Sequence, residues 1–144
     1  MSTGERARIL LADDHPAALV QATRVLEAHH EIVGMAANGL ELLTAAARLD
    51  PDVIVLDIAM PGLDGLEAAR RLVRDGCRSR LVFLTVWADP DYLREALAIG
   101  ASGYVVKSQL AGDLVPAVTA ALEGRTFVSP GLTADDPVAR GVRG

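Results

Sequence analysis

Five polar residues come directly after short apolar runs of the sequence. Asp13 and Asp14 follow residues 9–12, Asp57 follows 53–56, Thr85 follows 81–84, and Lys107 follows 104–106. Three carboxylates brought together repel each other, and a hard divalent cation such as Mg²⁺, bound through oxygen atoms, relieves that repulsion. A carboxylate beside a metal, an amine and a hydroxyl can attack phosphorus. The residue types therefore indicate aspartyl-phosphate chemistry, if the fold brings them together.

Short strands that alternate with helices are the elements that would position these residues. The apolar runs do not alternate with polar residues, which is typical of parallel strands buried on both faces. They cover residues 9–12, 32–35, 53–56, 81–84 and 104–106. Helical patterns between them predict helices at 16–28, 39–49, 66–74 and 90–99, and a fifth that ends near 123. Five consecutive βα units predict a flavodoxin-like, doubly wound α/β sandwich with a five-stranded parallel sheet in the order 2-1-3-4-5.

This strand order places the third strand, and therefore Asp57, at the centre of the sheet. Ligands of open α/β sheets bind at the carboxyl ends of the strands. Taken singly, each polar residue has an ordinary structural explanation: Asp13 or Asp14 could cap the first helix, and Lys107 could be a solvated side chain. Their joint occurrence at four strand ends favours a common site around Asp57.

Composition limits the classes of function. The 144 residues, 51% hydrophobic and 23% charged, suggest one globular domain. The net charge of −5 makes this chain a poor candidate for binding nucleic acid by itself. No stretch approaches the roughly 20 apolar residues of a membrane span. Cys77 is the single cysteine, so no intramolecular disulfide can form, and we expect a cytoplasmic protein.

Four motifs, in order, resemble the receiver domains of two-component response regulators, most closely those of the NarL/LuxR subgroup. The resemblance covers about residues 8–124, and residues 125–144 are interpreted as a tail or interdomain linker after a receiver domain at 1–124. The motifs are Leu-Ala-Asp-Asp-His-Pro at 11–16, Asp-Ile-Ala-Met-Pro-Gly-Leu-Asp-Gly at 57–65, Leu-Thr at 84–85, and Gly-Ala-Ser-Gly-Tyr-Val-Val-Lys at 100–107.

The resemblance implies a role for each site residue. Asp57 would accept the phosphoryl group, and Thr85 and Lys107 would bind its oxygens. Mg²⁺ would be the cofactor, held directly by Asp14, Asp57 and the backbone carbonyl of Ala59, and through water by Asp13. Thr85 and Tyr104 would form a switch, although a core aromatic is an equally good interpretation of Tyr104 from the residues alone.

The resemblance also implies partners. A sensor histidine kinase would donate the phosphoryl group, and the surface of the fourth helix, fifth strand and fifth helix could form a homodimer. The subgroup carries a helix-turn-helix domain for transcription control that these residues do not include. A stand-alone receiver that acts by protein contact is one alternative, and a docking module that has lost phosphorylation is another. A Mg²⁺-dependent phosphohydrolase is a further alternative, but Ile58 and Ala59 leave no second acid two residues after Asp57.

Four residues depart from the usual receiver pattern. Ser108 stands where many receivers have proline after the lysine, and Val86 is larger than the usual residue after the threonine. Trp87, the single tryptophan, is predicted to shield the phosphoryl group from water, with a surface aromatic as the alternative. Pro116 would cost about 3 kcal/mol inside a helix, which predicts that the fifth helix starts near Asp113, with a distorted opening turn as the alternative.

Overall fold

The computed structural model describes residues 6–132 as a layered α/β fold. Within that range the strands are β1 (Arg8–Ala12), β2 (Glu31–Ala36), β3 (Val53–Leu56), β4 (Arg80–Thr85), β5 (Gly103–Val106) and β6 (Phe127–Val128). The helices are α1 (Pro16–Leu26), α2 (Gly39–Leu49), α3 (Gly65–Arg74), α4 (Pro90–Ile99) and α5 (Leu110–Leu122), and a short 3-10 turn (Lys107–Gln109) precedes α5. None of these helices is both long and apolar enough to cross a membrane.

The described strands form one parallel sheet in the order β2-β1-β3-β4-β5-β6. The predicted order of the first five strands and the doubly wound fold are therefore confirmed. All four residues of β3 are buried, as expected for the central strand of a sheet that helices cover on both faces.

Two apolar layers hold the helices against the sheet, one on each face. One layer packs the strands against α2, α3 and α4, and its larger buried residues include Leu10, Leu42, Ile54, Leu66, Phe83 and Leu93. The other packs α1 and α5 against the opposite face, with Ile9, Leu26, Val55, Val82, Leu114 and Val118. Alternate residues of each strand enter different layers because successive side chains of a strand point to opposite faces.

A sixth strand extends the sheet beyond the five that were predicted. Phe127 and Val128 pair with Gly103 and Tyr104 of β5, within the segment interpreted as a tail or linker from residue 125. The side chain of the buried Ser129 accepts a hydrogen bond from the N–H of Val106 and donates one to Asp113. A two-residue strand has no recognisable period in sequence, so pattern analysis could not have found it.

The predicted late start of the fifth helix is wrong, because α5 begins at Leu110 and contains Pro116. Leu110 and Leu114 are 2% and 0% exposed. Burial of one leucine contributes about 1.5–3 kcal/mol, which is comparable with the cost of an interior proline. Proline deprives the carbonyl of Gly112, four residues earlier, of its helical donor. Gly112 and Pro116 are both exposed, so water can bind the carbonyl of Gly112.

Candidate functional site

The carboxyl ends of β1, β3, β4 and β5 place the predicted residues at one edge of the sheet. Ladder-type hydrogen bonds continue past the strands: the N–H of Asp13 donates to Ala36 and the N–H of Asp57 donates to Ala12, both at 3.0 Å. This continuation aligns the backbone of the two acids side by side. Asp13 and Asp57 are 4% and 2% exposed, so both carboxylates lie out of bulk water.

Asp57 lies at the centre of the site and has a different partner on each carboxylate oxygen. Oδ1 accepts a hydrogen bond from the N–H of Ile58 at 2.7 Å, and Oδ2 lies 3.0 Å from Nζ of Lys107. The buried carboxylate is therefore stabilised by one backbone dipole and one cation.

Lys107 connects the central acid with the first strand. Its Nζ lies 2.7 Å from Oδ2 of Asp13 as well as 3.0 Å from Asp57. Burial lowers the pKa of Lys107, but its hydrogen bonds and charge interactions with the two acids outweigh burial, and the pKa is raised above its usual value. The amine is therefore a fixed positive charge across the neutral pH range.

Asp13, Asp14, His15 and Asp57 could together hold a metal ion, because each offers a ligand atom within 4.8 Å of the others. Nδ1 of His15 lies 3.0 Å from Asp13 and 3.1 Å from Asp14. Three carboxylates close together form an oxygen-rich donor set of the kind that Mg²⁺ prefers, and one lysine does not neutralise all three. The three acids, Asp13, Asp14 and Asp57, therefore fit the predicted cation.

The loop after β3 approaches the acid through a glycine. An ideal Cβ at Gly65 would lie 1.9 Å from the carbonyl oxygen of Asp57, and the N–H of Gly65 donates to Ile58 at 2.7 Å. Asp64 caps α3 by accepting a hydrogen bond from the N–H of Glu67. Ala59, the predicted carbonyl ligand, is exposed two residues after Asp57.

Thr85 and Tyr104 are connected through the backbone of Trp87. Thr85 is buried and its Oγ1 accepts a hydrogen bond from the N–H of Trp87 at 3.3 Å. The hydroxyl of Tyr104 donates to the carbonyl of Trp87 at 2.6 Å. Burial, with smaller contributions from Asp89 and Asp57, raises the pKa of Tyr104, so the hydroxyl remains a donor.

The comparisons with known proteins agree with this geometry. The family model described as the response regulator receiver domain matches residues 9–119. The chain belongs to the response regulator receiver family.

Individual relatives place this receiver near the predicted subgroup. It is 37% identical over 135 residues to the nitrate/nitrite response regulator protein NarL of Escherichia coli K12, covering 92% of this chain and 62% of that protein. A two-component response regulator of the LuxR family from Aurantimonas has the same fold, with a TM-score of 0.88 at 33% identity, covering 96% of this chain and all of that one. The resemblance to NarL/LuxR-type receivers is thereby confirmed.

A third relative is the isolated receiver domain of RcsB from Salmonella enterica serovar Typhimurium, solved in the presence of phosphomimetic BeF₃⁻. Its TM-score is 0.81 at 27% identity, and the match covers 88% of this chain and 95% of that one. The receiver described here spans only 56–64% of the length of several curated relatives that it matches. The named relatives are signalling proteins of two-component systems.

The receiver site contains most of the residues predicted from sequence, and adds two contacts. Asp13, Asp14, Asp57 and Lys107 lie together, and Thr85 ends the neighbouring strand. The sequence did not predict that the His15 ring contacts both acids, although its position directly after them was a signal. It also did not predict the hydrogen bond from Tyr104 to the backbone of Trp87, for which no sequence signal exists.

Proposed function

We propose that this receiver accepts a phosphoryl group on Asp57 in a Mg²⁺-dependent reaction. The observation that carries the proposal is the buried Asp57 carboxylate, bonded to Lys107 beside the Asp13–Asp14 pair. A carboxylate oxygen would form a bond to phosphorus while the bond from phosphorus to the donor's leaving group breaks. The donor would be a phosphohistidine of a sensor histidine kinase or a small acyl phosphate.

The neighbouring residues would reduce the cost of gathering negative charge at Asp57. Asp14, Asp57 and the carbonyl of Ala59 would hold Mg²⁺ directly, with Asp13 acting through water, and the cation would neutralise phosphoryl oxygens. The positive charge of Lys107 already lies 3.0 Å from Asp57. The amine would bind an oxygen of the phosphoryl group once that group is attached to Asp57.

A switch would follow from the position of Thr85. If Oγ1 of Thr85 moved toward a phosphoryl oxygen, its 3.3 Å hydrogen bond with the N–H of Trp87 would break. The hydroxyl of Tyr104 in β5 donates to the carbonyl of Trp87, and the Trp87 ring contacts the ring of Tyr92 in α4. A movement of Trp87 would therefore displace residues of β5 and α4. The surface of α4, β5 and α5 would then change and could form a homodimer.

The proposed output is control of transcription through a further domain. Curated relatives that are longer than this chain include the transcriptional regulatory protein LiaR of Bacillus subtilis and NarL. A receiver that links a kinase to DNA would work in the cytoplasm and would not bind nucleic acid by itself. Output through protein contact alone remains the alternative. A phosphohydrolase is disfavoured because Ala59, two residues after the nucleophile, is not a second acid.

Phosphorylation is tested by incubating the protein with acetyl phosphate and Mg²⁺ and measuring its intact mass. We expect wild type to gain the mass of one phosphoryl group and Asp57→Asn to gain none. Asp64→Asn is the matched control. It removes a nearby negative charge, but the asparagine Oδ1 can still accept the capping hydrogen bond from Glu67, so this variant should be labelled like wild type. Equal labelling of Asp57→Asn and wild type would refute the assignment.

A further inference from the structure

His15 presents an imidazole nitrogen to both acids of the first strand, and the proposed phosphorylation does not use it. Its side chain is 64% exposed, so the ring can turn with little steric hindrance. His15 occupies the N-cap position of α1, but its side chain makes no capping hydrogen bond. Instead, Nδ1 of the ring lies within hydrogen-bond distance of Oδ1 of Asp13 at 3.0 Å, so the ring is directed at the acids and not at the helix backbone.

The spacing of the ring nitrogen fits metal coordination. Two adjacent ligands of an octahedral ion, each about 2.1 Å from it, are about 3.0 Å apart, and two opposite ligands are about 4.2 Å apart. Nδ1 of His15 lies 3.0 and 3.1 Å from the oxygens of Asp13 and Asp14, and the group that includes Asp57 lies within 4.8 Å. These separations are thus close to those expected of ligands around one ion.

The chemistry of imidazole determines which cations would benefit. Neutral histidine can carry its proton on Nε2, which leaves the lone pair of Nδ1 free for a metal. Imidazole is a good ligand for Ni²⁺, Cu²⁺ and Zn²⁺, whereas Mg²⁺ prefers oxygen ligands. The ring would therefore strengthen the binding of transition metals much more than the binding of Mg²⁺.

We propose that His15 is a direct ligand for divalent transition cations at this site and thereby sets its metal preference. The inference rests on the proposed cation site of Asp13, Asp14 and Asp57. In that site, the imidazole of His15 would make the binding of a cation such as Ni²⁺ stronger relative to the binding of Mg²⁺.

The test is isothermal titration of Ni²⁺ and, separately, Mg²⁺ into four proteins: wild type, His15→Ala, His29→Ala and Asp14→Asn. His29 is the matched control because it is exposed and belongs to the segment after α1, at the other end of that helix from the acids. Removal of a residue that merely orients a metal ligand costs about 10–100-fold in affinity, so loss of a direct ligand should cost at least about tenfold.

We expect His15→Ala to weaken Ni²⁺ binding at least about tenfold while the Mg²⁺ affinity stays unchanged. His29→Ala should match wild type for both ions, and Asp14→Asn should weaken both. Equal Ni²⁺ affinity in wild type and His15→Ala, or a parallel loss of Ni²⁺ and Mg²⁺ affinity, would overturn the role of His15 and leave the Mg²⁺ site standing. Asp14→Asn binding both ions as tightly as wild type would overturn the cation site together with this inference.

Discussion

A methyl group at position 65 would collide with the backbone of the proposed phosphoacceptor. The ideal Cβ of an alanine there lies 1.9 Å from the carbonyl oxygen of Asp57 and 2.8 Å from its carbonyl carbon. Favourable contacts begin near 3.5 Å. Neither partner is a flexible side chain, so α3 or the strand end must move.

The expected destabilisation of Gly65→Ala follows from two contributions. Overpacking of a well-packed region costs about 1–3 kcal/mol, and stretching the 2.7 Å hydrogen bond from Gly65 to Ile58 adds about 0.5–1.5 kcal/mol. We therefore expect the free energy of unfolding to fall by about 2–4 kcal/mol. With a urea dependence of about 2 kcal/mol per molar, the midpoint of urea unfolding should fall by about 1–2 M.

Gly112→Ala is the matched control for this substitution. Gly112 is exposed in α5, and an added Cβ there meets no heavy atom within 4 Å. Alanine is the better helix former, so the control should gain about 0.5–1 kcal/mol. Urea unfolding followed by circular dichroism measures both variants, and intact mass measures their phosphorylation, which should be slower in Gly65→Ala. Similar midpoints for the two variants would refute the close approach of α3 to Asp57.

Three further substitutions test the site. Trp87→Ala should shorten the lifetime of the phosphorylated protein if the ring excludes water, as the sequence predicts; an unchanged decay of the phosphorylated mass would contradict shielding. Tyr104→Phe leaves the carbonyl of Trp87 without its donor and should lower the free energy of unfolding by about 1 kcal/mol, measured in urea; no loss would indicate that water replaces the hydroxyl. Lys107→Met should slow phosphorylation by acetyl phosphate and alter the alkaline stability curve. Because the folded pKa of Lys107 is raised, its contribution is fully present below the unfolded pKa of about 10.4 and is lost as pH rises through the folded value. Wild type should therefore lose stability in that window more steeply than the variant, and identical slopes would argue against the ion pairs.

Where local chemistry determines an element, the sequence predicted it closely. Pro90 favours the first turn of a helix, and the predicted bounds of α4 match the structure. The bounds of α2 also match, because Asn38 caps its start and Asp50, before Pro51, adopts a left-handed conformation with φ of 46° at its end. The acids and Lys107 were identifiable because parallel strands bring their carboxyl ends to one edge.

Features that depend on contacts between distant residues were not predictable. Pro116 belongs to α5 because the sheet buries Leu110 and Leu114, and local propensity contains no information about that burial. The position of the Trp87 backbone between Thr85 and Tyr104 depends on the packing of β4 against β5. A single sequence gives the residue types of such a site but not the orientation of their side chains.

The two hydrogen bonds of Ser129 influence how often the backbone next to the site separates from the edge of the sheet. The amide of Val106, directly before Lys107, donates to Oγ of Ser129 rather than to a strand carbonyl. That amide can therefore exchange its hydrogen with solvent only when the segment after β6 moves away. Because Ser129 also donates to Asp113, such an opening would loosen the first turn of α5 at the same moment. The exchange rate of one amide thus reports how often the backbone next to the site's lysine is released from the edge of the sheet.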